Sequence, residues 1–157
     1  MALLYCQVFA FSGCAKDEKD PRDIRITNEE FLPYIKKFET EWGKSVGDIP
    51  IGFKDINDGD TIGICWTWQG ENTYHQIEID EKWWKDPNTN ENNKINLIFH
   101  ELGHCALNLD HNDNVHSLGG LPLAPMVPDS FMNEEVFFGD EPSESYEYYV
   151  DELFNRN

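Results

Sequence analysis

His100-Glu101-Leu102-Gly103-His104 is the stretch of the chain whose residue types and spacing are best suited to chemistry. Because an α-helix makes one turn in 3.6 residues, two histidines four positions apart project from the same helix face. Their imidazoles can share one zinc ion, and Glu101 can take a proton from a metal-bound water. Peptide-bond hydrolysis needs such a set of an electrophilic metal, an activated water and a base. The sequence therefore predicts a hydrolytic zinc site with Glu101 as its catalytic base.

A third zinc ligand has to come from beyond this motif, because a catalytic zinc takes three protein ligands and leaves one position for water. His111 is favoured because imidazole suits zinc. Asn108, three residues before it, is also the best non-glycine residue for the left-handed conformation that ends a helix. Asp110 stays open as the rival ligand, and His116 is a weaker candidate. His75 falls in a predicted strand, where we expect a structural or rim-lining role.

The pattern His100-Glu-x-x-His104-x-x-x-Asn108-x-x-His111 resembles the metzincin zinc peptidases, whose motif reads HExxHxxGxxH. The chain differs from that motif by one extra residue before the third ligand. Metzincins also carry a methionine-containing turn beneath the metal. Ser130-x-Met132 is similar to that turn, and Met126 is the alternative. In the resemblance, the methionine forms a hydrophobic floor under the ligand histidines and does not itself bind the metal.

The resemblance implies a zinc-dependent endopeptidase that acts on a protein or peptide substrate. Its Zn²⁺ would be held by His100, His104 and His111, and Glu101 would activate the zinc-bound water. Two alternatives stay open: a gluzincin-like peptidase with a downstream glutamate ligand, and a non-catalytic zinc-stabilised binding domain. The candidate glutamates are Glu134 and Glu135, and the candidate donors to the oxyanion are Tyr146, Tyr148 and Tyr149.

Hydrophobic periodicity predicts an α+β domain that positions these residues, and the order of its elements resembles that of a small zincin. It has an N-terminal helix, a mixed sheet of about three to four strands, a zinc-binding helix, a long loop with the Met-turn, and a C-terminal helix. A capping box at Thr27–Glu30 opens the first helix and Gly43 closes it. We expect strands at 49–56, 61–68 and 75–79, the zinc helix at 91–107, loop at 111–142, and a helix spanning 146–154.

The hairpin at 61–79 is the candidate for the edge strand that, in the family resemblance, pairs with extended substrate. Trp66 and Trp68 of this hairpin are expected to pack in the core rather than line a subsite. Cys65 in the hairpin and Cys105 on the sheet-facing side of the zinc helix can form a disulfide. Two buried free thiols are the equal alternative.

Composition limits the domain organisation and the partners. The chain has 157 residues, enough for one domain, and a formal net charge of −18, which argues against nucleic-acid binding. Residues 1–15 are uncharged and mostly apolar, like an export signal, and Phe11-Ser-Gly-Cys14 resembles a bacterial lipoprotein box that would tether the protein through lipid on Cys14. A strand or a poorly ordered tail is the alternative. We therefore expect an exported, monomeric protein with a linker at 16–26 and a metallopeptidase domain at 27–157.

Overall fold

The computed structural model describes residues 24–57, 59–69, 73–112, 115–117, 126–128, 130–134 and 143–154, which form the predicted α+β fold. A single 3₁₀ turn at Glu29–Phe31 leads into the first helix. The helices are α1 (Leu32–Trp42), α2 (Glu81–Lys85), α3 (Glu91–Leu107) and α4 (Ser143–Leu153). The strands are β1 (Ile51–Lys54), β2 (Gly63–Trp68), β3 (Tyr74–Asp80), β4 (Val115–Ser117) and β5 (Met126–Pro128).

A mixed three-stranded sheet carries the domain, in the order β1-β3-β2. The central strand β3 pairs with β1 in parallel and with β2 antiparallel, so that β2 lies at one edge of this sheet. The predicted hairpin is thus confirmed. Residues Gly63, Cys65 and Ile77 lie on one face because side chains alternate along a strand. This is the face against which α3 packs.

The hydrophobic core lies between this sheet and helices α1, α3 and α4. Phe38 of α1 contacts Phe99 of α3 edge-on, with ring centroids 5.1 Å apart, and Phe154 after α4 at the same distance. Trp66 and Trp68 lie outside this core, contrary to the prediction: they are half-buried and stack on each other with centroids 6.0 Å apart. Because side chains alternate along β2, both tryptophans lie on the face of the sheet opposite Cys65, away from α3.

A disulfide joins Cys65 of β2 to Cys105 in the last turn of α3, with the two Cα atoms 5.7 Å apart. Of the two alternatives left open by the sequence, the structure has the cross-link rather than two free thiols. Disulfides persist in oxidising compartments and are rare in the cytosol of most organisms. The bridge therefore points to an oxidising environment for this protein.

Two further expectations about secondary structure need correction, and one helix was not predicted. The cap before α1 is Asn28, whose side chain accepts a hydrogen bond from the Glu30 N–H at 3.0 Å, while the Thr27 hydroxyl accepts one from Ile51 N–H. Helix α2 was not predicted, although Asp80 caps it by accepting from the Trp83 N–H. The region 111–142 contains the small antiparallel sheet of β4 and β5 rather than loop alone.

The apolar segment 1–15, with Cys14, and most of the linker at 16–26 lie outside the described residues. Among the residues that are described, no helix is long and apolar enough to span a bilayer. The C-terminal helix, by contrast, is confirmed as α4, which begins three residues earlier than the apolar pattern indicated.

Candidate metal centre

Helix α3 holds the central residues of the site, and its sequence explains both of its ends. Asn90 caps the N-terminus: its side chain accepts a hydrogen bond from the Asn93 N–H at 2.9 Å. Asn108 ends the helix in the left-handed conformation, with φ 54° and ψ 43°, as the sequence predicted. The Leu109 N–H donates to the Gly103 carbonyl across this stop, so the chain reverses direction and passes back beside the helix.

The reversal brings His111 next to the two histidines of α3. The Nε2 atom of His104 lies 3.0 Å from Nε2 of His100 and 3.0 Å from Nε2 of His111. The three side chains form a cluster that can hold a metal ion. The structure therefore brings together the three histidines that the sequence singled out. Asp110, the rival ligand, is exposed and is not part of the cluster.

The opposite ring nitrogen of each histidine faces an oxygen acceptor. Nδ1 of His100 donates to the Phe131 carbonyl at 2.8 Å, and Nδ1 of His104 donates to the Leu109 carbonyl at 2.7 Å. Nδ1 of His111 lies 3.4 Å from Glu134 Oε1. Because a carbonyl oxygen can only accept, Nδ1 must carry the proton in the first two rings, which leaves Nε2 with a bare lone pair. Such acceptors fix ring orientation in protein metal sites.

This donor set fits a divalent cation. Burial lowers the pKa of His100 to about 3, with further lowering from the neighbouring His104 and His111. Burial also lowers the pKa of His104. Neutral imidazoles with converging lone pairs repel one another unless a cation lies between them. A tetrahedral zinc with bonds of about 2.0–2.1 Å places its ligand nitrogens about 3.3 Å apart, close to the separations seen here.

Glu101 lies on the sheet-facing side of α3, with only 2 % of its surface exposed. Burial raises the pKa of Glu101 to about 8, against the opposing effect of the Cys65 N–H, which donates to the carboxylate. Gly63 of β2 makes room for it: a Cβ there would lie 2.5 Å from Glu101 Oε1 and 2.9 Å from Leu97 Cδ1. A buried carboxyl with a raised pKa is typical of proton-transfer sites, although structural networks produce it too.

Met132 packs under the histidine-bearing turns of α3. A Cβ on Gly103, the residue before His104, would come closer to Met132 Sδ than real carbon atoms approach any neighbour. The turn is held by its own hydrogen bonds: Ser130 Oγ accepts from the Met132 N–H at 3.0 Å, and the Met132 carbonyl accepts from the Asn112 N–H at 2.9 Å. Met132 thus packs against the turn of α3 between His100 and His104, at Gly103.

Glu152 of α4 ties the two loops of the site together, which no feature of the sequence indicated. Its carboxylate accepts a hydrogen bond from the Ser130 hydroxyl at 2.6 Å and another from the Asn112 side-chain amide at 3.2 Å. Ser130 belongs to the turn that supplies the acceptor for His100, and Asn112 follows His111. The position of two of the three histidines therefore depends on one carboxylate in the C-terminal helix.

The other candidate ligands and oxyanion donors predicted from the sequence do not join the Nε2 cluster in the described part of the chain. Glu134 faces His111 from the Nδ1 side, opposite to the converging nitrogens. Tyr149 is buried in the core against Phe131, and the Tyr146 hydroxyl donates to Glu41 at 3.3 Å. Tyr148 is exposed. The side chains of His116 and Met126, and all of Glu135, lie outside the described part of the chain.

His75 of β3 belongs to a second cluster. Its Nδ1 lies 2.9 Å from the Thr67 hydroxyl, and a ring nitrogen lies within 4.8 Å of the sulfur atoms of Cys65 and Cys105. Burial lowers the pKa of His75. The expected structural role is compatible with this hydrogen bond, but no sequence pattern indicated that His75 would lie next to both cysteines.

Comparison with protein-family models, with curated protein sequences and with solved structures gives no significant match. The class of protein that fold and site define is accordingly an α+β domain with a three-histidine candidate metal centre on one long helix. Any narrower assignment has to rest on the chemistry of the residues themselves.

Proposed function

We propose that this protein is a zinc-dependent endopeptidase, similar to the metzincins, with His100, His104 and His111 as zinc ligands. The observation that supports the proposal best is the convergence of three Nε2 atoms while each Nδ1 faces an acceptor. This arrangement favours a metal-binding role over a chance grouping of histidines. A zinc ion bound there would lower the pKa of a water molecule and polarise a peptide carbonyl.

In this proposal Glu101 moves the proton. Glu101 follows His100 directly in α3. A cation bound by the histidines would therefore favour the ionised carboxylate of Glu101 and lower the pKa of this residue from its raised value. The ionised Oε atoms would then accept a proton from water and later give it to the leaving amine. The Cys65 N–H keeps the carboxylate in place on the strand side.

The substrate in this proposal is an extended peptide. Strand β2 offers an unpaired edge in the described part of the sheet, and its backbone lies beside Glu101. An extended chain can add to such an edge through main-chain hydrogen bonds, which give affinity without strong sequence preference. We therefore expect cleavage of unfolded or flexible protein segments.

The test is cleavage of casein and of a peptide library by the full chain loaded with Zn²⁺. We expect hydrolysis that a chelator abolishes and that added zinc restores. Glu101→Gln should bind zinc and lower kcat/KM by about 10²–10⁴-fold, the usual contribution of a general base. Glu147→Gln, which removes an exposed carboxylate from α4, is the matched control and should keep full activity. Full activity in Glu101→Gln would overturn the assigned role.

One observation favours a second function, a non-catalytic zinc-stabilised domain. Glu101 is almost completely buried and already accepts a backbone hydrogen bond, as a structural carboxylate does. In that case the zinc-loaded protein hydrolyses neither casein nor the library, while zinc still raises its melting temperature. A gluzincin-like site would be recognised differently, by unchanged zinc affinity in His111→Ala.

We also propose that the protein is exported. The Cys65–Cys105 disulfide is consistent with an oxidising compartment, and the apolar segment 1–15 is consistent with an export signal or a lipid attachment at Cys14. Metabolic labelling with a fatty acid, compared between the natural sequence and Cys14→Ser, would test the lipid attachment. Incorporation that does not depend on Cys14 would contradict it.

A further inference from the structure

A second group of metal-ligating side chains lies apart from the three-histidine centre. It consists of Cys65, His75 and Cys105. Their ligand atoms all lie within 4.8 Å of one another. Two thiolates and one imidazole are a known zinc-binding set, with a fourth position left for water. In the oxidised protein the two sulfur atoms are bonded to each other and unavailable for a metal. We infer that reduction of the disulfide opens a second, redox-gated site for a thiophilic divalent cation such as Zn²⁺.

The three residues are held by elements that do not depend on the disulfide alone. Cys65 pairs with Ile77, and Thr67 pairs with His75, two positions further along the β2–β3 ladder, so Cys65 and His75 lie on the same face of the sheet. Cys105 belongs to α3, which packs on the same face of the sheet through Leu97 and Glu101. Breaking the S–S bond therefore leaves the three side chains near one another.

The distances are compatible with a metal between the sulfur atoms. A tetrahedral zinc with Zn–S bonds of about 2.3 Å separates two sulfur ligands by about 3.8 Å. The Cα atoms of Cys65 and Cys105 are 5.7 Å apart, so rotation of the side chains can supply that separation without backbone movement. The Thr67 hydroxyl, 2.9 Å from His75 Nδ1, fixes the orientation of the imidazole. His75 is only half-buried, which gives a metal ion access from solvent.

The chemistry requires a reductant, and a dithiol is the class that serves. The dithiol gives two electrons and two protons to the disulfide: the S–S bond breaks, two Sγ–H groups form, and the dithiol becomes a cyclic disulfide. Zn²⁺ then replaces both thiol protons, which pass to solvent, and it gains two thiolates and one imidazole nitrogen. The link between β2 and α3 is thereby kept in both oxidation states, as a covalent bond or as a metal bridge.

The experiment is a metal titration of the full chain with Cys6→Ser and Cys14→Ser, which removes the other two cysteines. One sample stays oxidised. The other is reduced by a phosphine, which takes an oxygen atom from water as it becomes the phosphine oxide, and is then freed of reductant without air. Each sample is titrated with Co²⁺, whose thiolate complexes absorb in the near ultraviolet. We expect the reduced protein to bind one more equivalent than the oxidised protein and alone to develop thiolate-to-cobalt absorption.

Two variants decide whether all three residues form the site. Cys65→Ser with Cys105→Ser should lose the thiolate absorption completely. His75→Ala should weaken Co²⁺ binding at the reduced site at least tenfold, while in the oxidised form it keeps the disulfide and the circular-dichroism spectrum of the parent. Equal stoichiometry in the oxidised and reduced samples, or unchanged affinity in His75→Ala, would overturn the inference. These readouts do not depend on peptidase activity, so they stand apart from the proposed function.

Discussion

The contact between Gly103 and Met132 allows a quantitative test of the floor beneath the histidines. A methyl group added at Gly103 would lie less than 3.0 Å from Met132 Sδ, whereas carbon contacts normally lie at about 3.5–4.0 Å. To restore a contact of that length, the Met132 sulfur would have to move by more than about 1 Å, although the Met132 backbone is held by Ser130 and Asn112. Overpacking of this kind costs about 1–3 kcal/mol.

A second effect of Gly103→Ala acts in the opposite direction. Alanine is favoured over glycine in a helix interior by about 1 kcal/mol, so the single variant should lose about 0–2 kcal/mol of unfolding free energy. In a Met132→Ala background the clash is absent and only the helix preference remains. There, Gly103→Ala should stabilise the protein by about 1 kcal/mol, so the same substitution changes sign between the two backgrounds.

The assay is a double-mutant cycle by denaturant unfolding of the metal-free protein, with zinc affinity measured in parallel by competition with a chelator. The cycle should give a coupling energy of about 1–3 kcal/mol between Gly103 and Met132. We also expect weaker zinc binding in the Gly103→Ala variant alone, because displacement of Met132 moves the Phe131 carbonyl away from His100. If Gly103→Ala stabilises the protein equally in both backgrounds, Met132 does not pack against Gly103.

Three further predictions follow from the surroundings of the site. Glu152→Gln should weaken zinc binding about 10–100-fold in chelator competition, because it disturbs the acceptor for Ser130 and Asn112. Asn108→Val should lower the free energy of unfolding, measured with denaturant, by about 1–2 kcal/mol, because valine disfavours the left-handed backbone conformation of this residue. Asn108→Gly should lower it by less than half of that, because glycine adopts this conformation readily. In the metal-free protein, Glu101→Gln should make the unfolding free energy fall more steeply as the pH is lowered from 6.5 to 4.5. The slope should exceed that of the unsubstituted protein by up to about 1.4 kcal/mol per pH unit, measured by unfolding at several pH values.

The sign of the pH prediction comes from two opposing groups. The raised pKa of Glu101, about 8 against an ordinary 4.5, means that the folded protein holds a proton there that the unfolded chain lacks between these values. That contribution to stability is complete below pH 4.5 and is lost as the pH rises to 8. The lowered pKa of His100, about 3 against 6.5, gives stability that is lost as the pH falls below 6.5. Removal of Glu101 leaves the histidine effect unopposed, so an unchanged pH slope in Glu101→Gln would contradict this account.

Results that would contradict the other two predictions are equally specific. Unchanged zinc affinity in Glu152→Gln would mean that the loops of the site hold their positions without α4. Equal stability of Asn108→Val and Asn108→Gly would mean that the helix stop carries no strain, contrary to the positive φ.

The long helix could be predicted to the residue because both of its ends are set by local chemistry. Asn90 and Asn108 act within one turn of their own positions, so their effect is visible in the sequence. The strands were located by alternation of apolar and polar residues, but with ends shifted by one to two residues. Helix α2 was missed because five residues are too few for a helical period to show.

The acceptors around the histidines could not be predicted for a different reason. The carbonyls of Leu109 and Phe131 are backbone groups, which every residue possesses, so no residue type marks them. Glu152 is one of 30 acidic residues in the chain, and only the packing of α4 distinguishes it from the others. The meeting of His75 with Cys65 and Cys105 likewise depends on strand register, which the pattern of single strands does not fix.

The left-handed stop at Asn108 has a consequence for how such sites are defined. Each residue added to a helix turns the exit direction of the chain by about 100° and advances it by about 1.5 Å. Helix α3 continues to Leu107, yet His111 still reaches the two other imidazoles, because the cap redirects the chain three residues before it. The third histidine is thus counted from the helix stop rather than from His104. A sequence pattern with a fixed number of residues between the histidines does not match this chain, whereas a pattern that counts residues from the helix stop does.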